Sequence, residues 1–232
     1  MDKKIDSIAI DGVAGVGKST ISKMLAKKLG WKVLETGAIY RAITASFLAK
    51  NYDIKDEEFI SSIAQNLFVE VKYLKCVQHV FVDGVDLTPY LRTGLVENSV
   101  ALVAKVPAVR EKVRAVQRAI AESENVVVEG RDIGTVVLPN SHNKFFLTAD
   151  PKVRATRRFK QLCAKGKNTS FRKIYSEILK RDELDKTRSV SPLVPAEDAL
   201  IVDTSQMQAT EVVDLILTKI KTKEKSLDAE KE

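Results

Sequence analysis

Hydrophobic and polar positions follow two different periods along this chain, and the places where the period changes outline its architecture. Near the N-terminus "IDSIAID" is a short apolar run of buried-strand type, after which Ile21, Met24, Leu25, Ala26 and Leu29 recur at helical spacing. "WKVLET" then predicts a strand and "AIYRAITASFLAK" a helix, an alternation that implies a parallel sheet with helices on both faces. From Leu67 to Leu87 the period drops to two: "LFVEVKYLKCVQHVFVDGVDL" alternates apolar and polar residues, and Asp83-Gly84 is the pair expected of a tight hairpin turn. A small antiparallel sheet inserted in an α/β core is the expectation. "TGLVENSVALVAKVPAVREKVRAVQRAIAES" reads as helix, with Pro107 either kinking it or starting a second one. "NVVVEGRD", "NKFFLTAD" and "DALIVDTS" complete five core strands, near residues 5–10, 31–34, 125–129, 143–148 and 199–203.

The turn between the first strand and the first helix carries the chemistry. In "IDGVAGVGKST", Gly12, Gly17, Lys18 and Ser19 fit the spacing GxxxxGK(S/T). Such a loop wraps a polyphosphate with its amide hydrogens pointing inward, and the following helix presents its positive end. Gly12, Val13, Ala14, Gly15, Val16, Gly17, Lys18, Ser19 and Thr20 are therefore the candidate donor-nucleotide residues. Lys18 would reach the β and γ phosphates and Ser19 would ligate magnesium.

Composition narrows the class without choosing the chemistry. The chain has 232 residues, 44% hydrophobic and 30% charged, which suits a globular protein with a sizeable core. No apolar run approaches the roughly 20 residues that span a bilayer, and "MDKKIDS" leads into a strand instead of a signal-peptide core, so a cytoplasmic protein is expected. Cys76 and Cys163 stand far apart with no CxxC pair, which argues against a disulfide framework or a zinc site; both are expected to be packing residues. The net charge of +7 is compatible with nucleic acid, an anionic surface or a small polyphosphate. With 6% aromatic residues no basic stripe interleaved with aromatics is present, so nucleic acid is not expected as a partner.

Three further segments fall where ligands bind in open α/β sheets, outside the carboxyl ends of strands. "LETGAIYR" brings Thr36, an amide-rich turn and Arg41 to that edge, a second phosphate site. "VVVEGRDIGTVV" puts Glu129, Arg131 and Asp132 there, and "RDELDKTRSVSPL" places Arg181, Asp185 and Arg188 at i, i+4 and i+7 on one helical face. Solvated surface ion pairs would be the bland reading of the last set. Together with the phosphate loop, these segments closely resemble the bacterial cytidylate kinase family, the CMP/dCMP kinases of the nucleoside monophosphate kinase group. The resemblance runs from "AIDGVAGVGKST" through "TGAIYR", "EGRDIGTVV" and "RATRRFKQL" to "SPLVPAEDALIVDTS".

The resemblance implies a P-loop kinase with a five-stranded parallel sheet flanked by helices, a small antiparallel β insert for the monophosphate and a short lid. A single domain over 1–222 is expected, with the insert at about 63–100, the lid at about 154–167 and a flexible tail over 223–232. ATP would be the donor, Mg2+ the cofactor and CMP or dCMP the acceptor, in a monomeric enzyme of pyrimidine metabolism with no membrane partner. By the same resemblance Thr36, Arg41 and Arg131 would hold the acceptor phosphate, Arg110, Asp132 and Arg188 the cytosine, and Arg181 and Asp185 the sugar. Arg154, Arg157 and Arg158 are lid candidates for closing over the phosphates, Arg157 on the ATP side, with Lys18, Arg131 and Arg158 acting in transfer. The chain departs from the family at Glu35 and Glu129, where aspartate is usual, and at Ala101, where some relatives place a serine. The His79 and His142 side chains lie outside these segments. The rival readings are a P-loop kinase for another small acceptor and a nucleotide switch; the switch lacks an NKxD motif, since "NKFF" at Asn143 has no aspartate in place.

Overall fold

The computed structural model describes residues 6–166, 168–187 and 190–229, with side chains through Ile220. In chain order the elements are β1 (Ser7–Gly12), α1 (Lys18–Leu29), β2 (Lys32–Glu35), α2 (Thr36–Ala49), α3 (Glu57–Asn66), β3 (Val69–Leu74), β4 (Val77–Val82) and β5 (Val85–Asp86). They continue with α4 (Gly94–Ala104), α5 (Pro107–Ser123), β6 (Val126–Glu129), β7 (Asn143–Thr148), α6 (Pro151–Cys163), α7 (Phe171–Thr187), β8 (Leu200–Asp203) and α8 (Ala209–Ala229). The five core strands expected from the apolar runs all form, in one sheet of order β2-β6-β1-β7-β8. The chain divides into two compact units, Lys32–Val126 and the combination of Asp6–Trp31 with the chain from Val127 onward.

The second of these units holds the centre of the sheet. Ile8, Ala9, Ile10, Val127 and Val128 are wholly buried, as strands covered on both faces must be, and this is why they read as unbroken apolar runs. β1 and β7 pair in parallel with Ile8 opposite Asn143 and Gly12 opposite Leu147, and β7 continues in parallel to β8. Helix α1 turns Ile21 and Leu25 inward and stops where Gly30 takes a left-handed conformation and its N–H closes on Ala26 O. α6 and α7 close on each other over Ala155, Ile174 and Ile178, with Phe159, Leu162 and Tyr175 packed against them.

In the Lys32–Val126 unit, α2 buries Ile39, Ile43 and Phe47 and packs on α4, while α3 packs on α5. Pro107 starts α5 at its first turn, where its missing N–H breaks no hydrogen bond, so the long helical pattern is two helices. The antiparallel insert has the order β3-β4-β5, with Val69 opposite Val82 and Leu74 opposite Val77. Asp83 and Gly84 form its second turn, both at positive φ (51° and 81°), as a type I′ turn requires. The first turn, Lys75-Cys76, has the same geometry without glycine, at φ 50° and 63°.

Two features differ from the sequence reading or were missed by it, and two of its segments take helical form. α3 was not foreseen, although Asp56 accepts from Phe59 N at 2.9 Å and Glu57 and Glu58 fill its first turn, an ordinary helix start. Cys76 and Cys163 are exposed and do not pack: one sits in a two-residue turn, the other at the last position of α6. The segment expected as a lid is largely helix α6, with Lys167 outside the described residues. Helix α8 continues through 223–229 of the expected tail, and 230–232 lie outside the described residues. Among the described residues no helix is long and apolar enough to cross a membrane.

Gly12 and Gly30 give a direct test of what holds β1 in place. Both have positive φ, but a Cβ on Gly12 would lie 2.2 Å from Leu147 O of the neighbouring strand, whereas a Cβ on Gly30 would meet nothing within 4 Å. Gly30→Ala should cost roughly 1–2 kcal/mol of left-handed strain; Gly12→Ala should cost well over about 3 kcal/mol, because strand separation adds to that strain. Thermal denaturation of the two variants measures the difference, and equal losses would contradict it.

Candidate active site

The phosphate loop forms because three glycines take backbone conformations that other residues rarely adopt: Gly12, Gly15 and Gly17 have φ of 149°, 73° and 103°. Gly17 caps α1 with its carbonyl, accepting from Thr20 N and Ile21 N at 3.0 Å each, and no side chain caps the helix or places an acidic group in its first turn. The first-turn amides of α1 therefore form a positive end suited to an anion. Lys18 is buried, and its Nζ donates to Gly12 O at 2.7 Å and Val13 O at 2.9 Å. Burial, then the nearby Arg131 cation, pulls its pKa down from 10.5 to about 7, against the opposite pull of Glu129, Asp11 and Asp185. Ser19 Oγ donates to Glu129 Oε1 at 2.9 Å, which brings the hydroxyl of α1 and the carboxylate at the end of β6 together. This pair of hard oxygens suits Mg2+, although no cluster of three or more metal-ligating side chains exists among the described residues.

One buried carboxylate fixes the next loop to the first. Asp11 accepts from Ile133 N at 2.9 Å and from Gly134 N at 2.7 Å, and Gly130 N donates to Ile10 O at 3.0 Å. The chain after β6 is thereby held against β1, with Arg131 and the buried Asp132 at the bend and a single π-helical turn over Ile133–Val137 following. Burial raises Asp11 from 3.8 to about 6 in spite of its two backbone donors, with the Asp132 charge adding to the rise. Arg131 Nε donates to Asp185 Oδ2 at 2.8 Å and Nη1 to Gly130 O at 3.3 Å, while Arg181 Nε stands 4.0 Å from the same Asp185 oxygen. So Arg131, Arg181 and Asp185 come together in one cluster. Arg188 lies outside the described residues.

The three lid candidates have different surroundings. Arg154 is buried and engaged by Asp182, Ala14 O and Ala149 O. Arg157 donates to Thr204 O at 2.6 Å and Met207 O at 3.2 Å, on the loop after β8. Arg158 reaches Gln161 Oε1 at 2.8 Å on its own helix. Sequence reasoning missed Asp11, Asp182 and Thr204. Asp11 directly precedes the phosphate loop, and Asp182 lies four residues after Ile178 on α7, but neither position indicates its partner.

Within the Lys32–Val126 unit, Thr36 is buried at the start of α2, and Arg41 folds back over that first turn: a Cβ on Gly37 would lie 2.9 Å from Arg41 Nη1. Gln78 of β4 braces the preceding residue on both sides, its Oε1 accepting from Glu35 N at 2.7 Å and its Nε2 donating to Glu35 O at 3.2 Å. The Glu35 carboxylate lies 3.7 Å from Arg92 Nη2. Arg110 is buried, with Nη1 donating to Ala104 O at 3.2 Å and its guanidinium 5.7 Å from the Tyr40 ring centroid. Ala101 is exposed on α4. His79 pairs with Asp86 inside the insert, and His142 is exposed.

A family model described as Cytidylate kinase matches residues 8–222. The chain belongs to the cytidylate kinase family. It is 45% identical over 215 residues to "Cytidylate kinase" of Pelotomaculum thermopropionicum, covering 92% of this chain and 95% of the relative. It is 44% identical over 223 residues to the "Cytidylate kinase" of Bacillus subtilis, covering 96% and 99%. An uncharacterized protein from Eubacterium ventriosum shares the fold, with a TM-score of 0.54 at 14% identity over 94% of this chain and 99% of that one. The protein is therefore a kinase of this family, and the nucleotide-switch reading falls.

Lys18 makes a pH-dependent prediction. With its pKa lowered to about 7, the amine is mostly neutral above that pH in the nucleotide-free protein, and a polyphosphate beside it restores the charged form. Binding of MgATP at pH 8 should therefore take up close to one proton, and at pH 6, where Lys18 is already charged, about none. Calorimetry in buffers of different ionisation enthalpy counts the protons. Uptake that is absent at pH 8, or that persists in Lys18→Met, would contradict the assignment.

Proposed function

We propose that the protein transfers the γ-phosphoryl group of ATP to CMP or dCMP, giving ADP and CDP or dCDP. The observation that carries this reading is the continuity of charge at the carboxyl ends of β1 and β6. Lys18 of the donor loop feels the charges of Glu129, Arg131 and Asp185, and Ser19 beside it bonds Glu129, which supports a reading in which donor and acceptor phosphates meet at this edge. The acceptor phosphate is itself a nucleophile, and the work left for the protein is alignment and neutralisation of charge. Loop amides and Lys18 hold the donor's β and γ phosphates. Arg131 would hold the acceptor phosphate, and Arg41 and Thr36 at the start of α2 are further candidates for that group. Ser19 and Glu129 would hold Mg2+, which supplies charge neutralisation on the donor phosphates when bound. Arg158 is the lid arginine with the weakest attachment, on its own helix, and can turn toward the transferring group. Arg157, joined to the loop after β8, would serve the donor side. Arg181 and Asp185 would take the sugar hydroxyls.

Base choice follows from hydrogen-bond polarity. Cytosine offers a donor at N4 and acceptors at N3 and O2, which a carboxylate from Asp132 and guanidinium groups from Arg110 and Arg188 complement. Uracil reverses two of the three positions. Mispaired buried polar groups cost roughly 1–3 kcal/mol each, so CMP should be preferred over UMP by about two orders of magnitude in kcat/KM. A panel of nucleoside monophosphates assayed with ATP and magnesium for diphosphate formation tests this. Asp132→Asn should narrow the preference mainly by lowering activity on CMP; equal use of CMP and UMP by the unaltered protein, or an unchanged ratio in the variant, would remove Asp132 from the base.

A further inference from the structure

Arg154 is unlike the other arginines of α6. Its side chain is 3% exposed, and every arm of the guanidinium is engaged. Nε donates to Ala149 O at 2.9 Å, Nη1 to Asp182 Oδ1 at 3.0 Å, Nη2 to Asp182 Oδ2 at 2.6 Å, and Nη1 also to Ala14 O at 2.9 Å. Asp182 belongs to α7 and is itself 13% exposed, so a bidentate ion pair joins the two helices directly behind the phosphate loop. The contact with Ala14 O is of another kind, because it reaches the loop that the motif assigns to the donor phosphates.

A peptide unit is planar and trans, so its C=O and N–H point in opposite directions. Holding Ala14 O toward Arg154 turns the Gly15 N–H to the opposite face of the loop, away from α6. Gly15 sits at φ 73°, and glycine tolerates both senses of the preceding peptide, so its own conformation does not choose between them. The back of the loop is also seated on the same helices: a Cβ on Gly15 would touch Arg154 Cβ at 3.6 Å and Ile178 Cδ1 at 3.7 Å. We propose that Arg154, locked by Asp182, is a positioning residue that sets the Ala14–Gly15 peptide so that the Gly15 N–H serves as a donor to the phosphates of ATP. Arg154 thus acts from behind the loop, in place of the closing role expected for the lid arginines. The inference rests on the reading of Gly12–Thr20 as the donor site.

A purely structural ion pair can be replaced by apolar side chains with little loss, whereas a hydrogen bond that orients a peptide cannot. MgATP binding by calorimetry without acceptor, CMP binding and the thermal midpoint separate the two cases. Arg154→Met should lower the midpoint and weaken MgATP. The double variant Arg154→Met/Asp182→Leu should regain most of the midpoint and still bind MgATP at least about tenfold more weakly, with CMP affinity within about twofold of the unaltered protein. Arg154→Lys keeps a cation beside Asp182 but loses the planar fork, and should show the same selective loss with the fold retained. If either folded variant binds MgATP as the unaltered protein does, or if CMP binding falls in parallel, the positioning role is wrong. An unaltered protein that fails to bind MgATP at all would instead overturn the functional reading.

Discussion

Two hydrogen bonds to the Asp11 carboxylate set the relation on which the proposed site depends. β1 delivers the phosphate loop and β6 delivers Glu129, Arg131 and Asp132, and strand pairing alone leaves the chain beyond each strand end undirected. Asp11, one residue before Gly12, accepts from both Ile133 N and Gly134 N and so registers the two loops against each other. Burial makes this costly. The rise from 3.8 to about 6 corresponds to roughly 3 kcal/mol favouring the neutral form. Two charge-assisted hydrogen bonds, each contributing roughly 1.5–3 kcal/mol, only partly offset the desolvation.

The same economy governs the cations. Transfer between two phosphates gathers several negative charges, so the protein needs many positive groups held close together without substrate. Several are held by oxygens in the structure: Lys18 by Gly12 O and Val13 O, Arg131 by Asp185 and Arg157 by Thr204 O. These contacts fix the side chains in advance, which lowers the ordering cost when nucleotides arrive. The depressed pKa of Lys18 measures how far its surroundings penalise a cation before phosphate is present.

Much of this was legible in the sequence wherever a residue type is demanded by local geometry. The phosphate loop needs its three glycines at positive φ, the Asp83-Gly84 turn needs the same at two positions, and doubly covered strands need unbroken apolar runs. Thr36, Arg41, Arg131, Arg181 and Asp185 stand out as candidates because they follow strand ends or share one helical face, and the structure gathers Arg131, Arg181 and Asp185 in one cluster. What was hidden depends on partners distant in sequence: Asp11 with Ile133, Arg131 with Asp185, Arg154 with Asp182. The run "RATRRF" shows three arginines and cannot show that Arg154 is buried while Arg158 is not. The Lys75-Cys76 turn lacks glycine, and so carried no turn signal and left Cys76 to be read as a packing residue.

Asp11→Asn tests the central claim most directly. The amide keeps the size of the carboxylate and one acceptor oxygen, but sets its NH2 against a backbone N–H that needs an acceptor, so one of the two hydrogen bonds must break. If Asp11 aligns the donor and acceptor loops, steady-state assays with ATP and CMP should show kcat lowered by about two orders of magnitude, the loss typical of misplacing groups that act only in the transition state. A folded Asp11→Asn protein with kcat within about twofold of the unaltered enzyme would contradict the account, because strand pairing alone would then suffice to align the site.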